Sequence, residues 1–72
     1  MAGRLSDADE RALALTWARE RWATLARNEQ SMIRFGIFPA AVMAEGEARG
    51  LNGHALACAF MDCAKADGGM RA

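Results

Sequence analysis

The sequence predicts an all-α domain, a small bundle of three helices over about 7–35, 39–49 and 53–67. Three observations carry this. Apolar residues recur at helical rather than alternating spacing. Glycine and proline stand at the junctions of the periodic segments. β-Branched residues are scarce, with valine once and isoleucine twice in 72 residues, so no stretch reads as a strand.

The first helix opens at Ser6-Asp-Ala-Asp-Glu. Ser6 caps, Asp9 takes the reciprocal position three residues on, and Asp7, Asp9 and Glu10 put negative charge in the first turn. No glycine or proline follows until Gly36, which offers a left-handed stop. A continuous helix over 7–35 would be roughly 43 Å long at 1.5 Å per residue. Asn28 to Ser31 is the one stretch where a break is considered, since Asn28 can end a helix and Ser31 begin one. Continuity is favoured.

Ile37-Phe38-Pro39 forms a short apolar connector, and Pro39 suits the first turn of the second helix because its missing N–H needs no partner there. Gly46 lies inside that helix and weakens it by about 1 kcal/mol relative to alanine. Gly50 ends it, Asn52 caps the third helix, and Gly68-Gly69 closes that one. The two shorter helices fold back on the long one in a single domain, 1–72, whose ends, about 1–5 and 68–72, are expected to be frayed.

Composition bounds the function. The apolar fraction is 53%, but 17 of those residues are alanine, so the core is thin for a domain that gains little from size alone. Nine basic and nine acidic residues cancel, against a polyanion- or membrane-binding role. No apolar run approaches the roughly 20 residues of a membrane span, and Met1-Ala-Gly-Arg-Leu-Ser-Asp lacks a secretory hydrophobic core. The expected compartment is the cytoplasm, with Cys58 and Cys63 as free thiols. Abundant alanine, arginine and glycine suggest a G+C-rich coding sequence, bacterial or from a phage or plasmid.

On the first helix, Leu15, Ala18, Trp22, Leu25, Ala26, Met32 and Ile33 share one side. Leu13 and Trp17 lie off that stripe, with Phe35 at a similar angle. Two short alanine-rich helices cover one patch more easily than both, which leaves Leu13 and Trp17 partly exposed. An exposed tryptophan beside arginine is the material of protein interfaces. The expected partner-binding surface is therefore Leu13, Trp17 and Arg21, used for homodimerisation or for a larger protein. The competing reading has Trp17 capped by the C-terminal helix as ordinary core.

His54 and Cys58 are four apart on the third helix, a spacing that metal sites use, but the chain has no other histidine and no metal or cofactor is expected. As nucleophile and base the same pair lacks an orienting group or oxyanion hole, so the chain reads as a non-enzyme. Nucleic-acid binding is the alternative. Arg19, Arg27 and Arg34 are the candidate contacts, and 42–60 loosely resembles a helix-turn-helix with Gly50-Leu51 at the turn. Glu45 and Arg49 stand where such motifs bury apolar residues, and the would-be recognition helix offers few groups for reading base edges. The reading favoured is a small regulator, adaptor or stoichiometric inhibitor acting through protein contacts.

Overall fold

The computed structural model describes residues 6–69; of the ends expected to be frayed, about 1–5 and 68–72, residues 1–5 and 70–72 lie outside the described residues. The chain is all-helical over this span, in four helices rather than three: α1 (Asp7–Thr24), α2 (Arg27–Arg34), α3 (Ala40–Ala48) and α4 (Gly53–Gly69). Gly68 and Gly69, expected beyond the last helix, form its final residues.

The caps follow from the sequence. Ser6 Oγ accepts the Asp9 backbone N–H at 3.1 Å, and Asn52 Oδ1 accepts from His54 N at 2.8 Å and Ala55 N at 3.2 Å. Each satisfies N–H groups that have no partner within the helix. Gly36 and Gly50 adopt φ of +84° and +85°. At each, two backbone bonds close the helix end: Gly36 N to Ile33 O and Ile37 N to Met32 O, then Gly50 N to Glu47 O and Leu51 N to Gly46 O. This is the Schellman arrangement.

The helix expected to run unbroken over 7–35 is broken at Leu25–Ala26, ahead of Asn28–Ser31, the stretch whose side chains suit a break. Leu25 and Ala26 are extended, with ψ of 147° and 156°. Polar side chains on both sides take over the backbone groups this leaves. Gln30 Nε2 donates to the Trp22 carbonyl at 2.8 Å, and the Glu29 carboxylate accepts from Ala26 N at 3.1 Å. Thr24 Oγ1 also donates back to the Arg21 carbonyl at 2.8 Å. The kink turns Leu25 and Ile33 into the core, where they are 8% and 0% exposed. Burial of two large aliphatic side chains, about 1.5–3 kcal/mol each, outweighs the few helical hydrogen bonds forgone.

The central packing is α1 against α4, side by side and parallel. Asp7 and Arg11 share a recess with Asn52 and His54, and Trp22 shares another with Ala66 and Asp67. Ala14 and Ala18, both fully buried, give α1 a flat small-residue face, and Ala55, Ala59 and Cys63 at successive four-residue steps give α4 its counterpart. Small side chains let the helices approach closely, and this is where the alanine content is used. α2 and α3 cover the other side, bringing Ile33 and Val42 over Leu56 and Phe60, the largest fully buried side chains. No helix is long and apolar enough to cross a membrane among the described residues.

Candidate interaction surface

The Leu13–Trp17–Arg21 surface is largely engaged within the chain. Trp17 is half-buried and meets Phe60 of α4 edge-on, with ring centroids 5.9 Å apart and planes at 79°. Its other side carries the Arg49 guanidinium, 5.5 Å from the ring centroid. The Arg21 guanidinium donates to both Glu45 carboxylate oxygens, at 2.8 and 3.3 Å, tying α1 to α3. That hydrogen bond holds the Glu45 carboxyl below its ordinary range and raises Arg21 further. Leu13 alone of the three remains open, at 49% exposure.

The more exposed apolar groups are on the α2–α3 connection. Phe35 is 82% exposed and Ile37 55%, on either side of Gly36. The connection is held firmly for a loop. Phe35 N donates to the Ser31 and Met32 carbonyls, Ile37 N to Met32 O at 2.8 Å, and half-buried Phe38 packs against the core. An aromatic and a branched aliphatic side chain are thus displayed on a hydrogen-bonded turn. Helical periodicity places Phe35 at the angle of Leu13 and Trp17, off the main stripe, but does not single out Ile37. The available signal was their position, large apolar groups flanking a helix-stopping glycine.

The arginines do not gather into one basic face. Arg34 pairs with Asp67 of α4 and lies over Trp22, 5.6 Å from its centroid. Arg19 and Asp62 edge the same open groove between α1 and α4, about 630 Å³ in volume, whose apolar walls are Leu15, Trp22 and Cys63. Arg27 is exposed at the start of α2. The α3–turn–α4 unit has the connectivity of a helix-turn-helix, and Gly46 allows close approach: a Cβ there would lie 2.6 Å from Leu56 Cδ1 and 3.0 Å from the Trp17 ring. The exposed side of α4, however, carries His54, Cys58, Asp62, Lys65 and Asp67, a weak match for a phosphate backbone.

The cysteines differ. Cys63 is buried against α1, and burial pushes its thiol above the ordinary value. Cys58 is exposed, with its Sγ 3.7 Å from His54 Nε2. Among the described residues no group of three or more histidine, cysteine or acidic side chains converges as a metal site.

The chain matches no family model, no curated protein and no solved structure.

Proposed function

We propose that the chain is a small helical protein–protein interaction module, acting as a regulator, adaptor or stoichiometric inhibitor, and that its docking element is the Phe35-Gly36-Ile37 turn. The observation that supports this is the exposure of Phe35 and Ile37 on a turn held by backbone hydrogen bonds. A rigid aromatic group loses little freedom on binding, and such anchors dominate interface energetics when they fill a pocket. Two side chains cannot supply the roughly 800 Å² per partner of a stable symmetric dimer. The occupant we favour is a larger protein with a concave apolar pocket that encloses the turn.

The test places a photoreactive residue at position 35, with position 65 as an exposed control, in cells that make the protein. The supporting result is one cross-linked partner whose binding, measured with both proteins purified, weakens at least about thirtyfold in Phe35→Ala, as a hot-spot residue requires. Unchanged affinity overturns the proposal. So does a homodimer in chelator-treated protein that Phe35→Ser abolishes, which assigns the turn to a second copy.

Nucleic-acid binding has support only from the connectivity of α3 and α4. Salt-sensitive retention on duplex DNA that is lost with Arg27→Ala would favour it over the protein-contact reading.

A further inference from the structure

The geometry points to a metal half-site on the exposed edge of α4: His54 and Cys58 chelate one thiophilic divalent cation of the zinc type, and the same pair from a second copy completes its coordination. The argument begins with the bite. A tetrahedral cation bonded to nitrogen at about 2.0–2.1 Å and to thiolate at about 2.3 Å holds those donors about 3.6 Å apart. The Nε2 and Sγ atoms already stand 3.7 Å apart. They project from successive turns of one helix, so chelation requires little rearrangement of either side chain.

Both donors are exposed, and no third ligand joins them among the described residues. Two copies related by a twofold axis through the cation supply two imidazoles and two thiolates, a closed tetrahedral set. The charges also close, since two thiolates neutralise a dication. Each thiol gives its proton to solvent as it binds. Asp7 and Arg11 line the same recess, and Asp62 shares the adjoining one with Cys58 and Arg11, so the surroundings add a single negative charge, which favours a cation. This edge lies away from the Phe35 turn. Arg34, next to Phe35, pairs with Asp67, about 20 Å along α4 from His54 at 1.5 Å per residue. The half-site is therefore independent of the docking element.

The experiment titrates zinc, and cobalt as a spectroscopic probe, into purified protein kept reduced without thiols, with mass followed by light scattering. The expected result is one metal per two chains, a doubling of mass reversed by chelator, and thiolate-to-cobalt charge transfer with intense tetrahedral bands. His54→Ala and Cys58→Ser should each weaken binding at least about tenfold, since even loss of a ligand's supporting partner costs that much. Cys63→Ala should bind as the parent does, and Phe35→Ser should still dimerise with metal. Helicity measured alongside separates loss of a ligand from loss of fold. No binding, a one-to-one complex that stays monomeric, or binding retained in Cys58→Ser overturns the inference.

Discussion

Replacing Gly46 with alanine pits two effects against each other. Within a helix the change should stabilise by about 1 kcal/mol. At this position the new Cβ would lie 2.6 and 2.8 Å from the two δ-methyls of Leu56 and 3.0 Å from the Trp17 ring. Leu56 is fully buried, so turning one methyl away brings the other in, and Trp17 is backed by Phe60. Overpacking of this kind costs about 1–3 kcal/mol. The net expectation is a loss of about 1 kcal/mol, or a Tm lower by about 4–8 °C in a domain of this size. Thermal and urea unfolding followed by far-UV circular dichroism measure it. In a Leu56→Val background both δ-methyls are gone, and the same Gly46→Ala change should raise stability by about 0.5–1 kcal/mol. A stabilising Gly46→Ala in the parent, or the same sign in both backgrounds, would refute the close-packing account.

Two further substitutions test other parts of the fold. Ala26→Ser should stabilise by about 1 kcal/mol, because residue 26 is the extended residue before α2 and its hydroxyl would accept from the Glu29 N–H. In an unbroken helix serine would instead cost a few tenths of a kcal/mol, so the sign of the Tm change reports the break. Glu45→Gln tests the α1–α3 tie. Hydrogen bonding to Arg21 lowers the Glu45 pKa on folding, so its contribution is present above the ordinary value near 4.5 and fades as pH falls through the lower folded value. The Tm gap between parent and variant should therefore shrink on acidification below about pH 4.5. A gap that widens would contradict the pairing.

Much of the helical framework is legible because its signals are local. Ser6, Gly36, Gly50 and Asn52 each act on backbone groups within a few residues, and each does in the structure what its side chain, or lack of one, implies. The break at Leu25–Ala26 is not local in this sense. Leu25 and Ala26 carry no helix-ending chemistry, and what ends α1 is the burial of Leu25 and Ile33 together with capping by Glu29 and Gln30 from the following helix. The same distinction separates the surfaces. Trp17 could be placed off the main stripe from its angle alone. Whether that side met solvent depended on Arg49, Glu45 and Phe60, residues 28 to 43 positions away. Gly46 misleads for the same reason: its local effect is a weaker helix, whereas its tertiary effect is space for Leu56.

The parallel pairing of α1 with α4 sets the order in which the protein can fold during synthesis. Ala14 and Ala18 find their partners at Ala55, Ala59 and Cys63, about forty residues later in the chain. Antiparallel neighbours could zip up in sequence as they left the ribosome. Here α1 emerges with its flat alanine face uncovered and α2 and α3 have little to rest on until α4 follows. Closing so long a loop costs entropy before any of these contacts can repay it. The nascent chain should therefore remain protease-sensitive until α4 has cleared the exit tunnel, then gain its structure in one late, cooperative step.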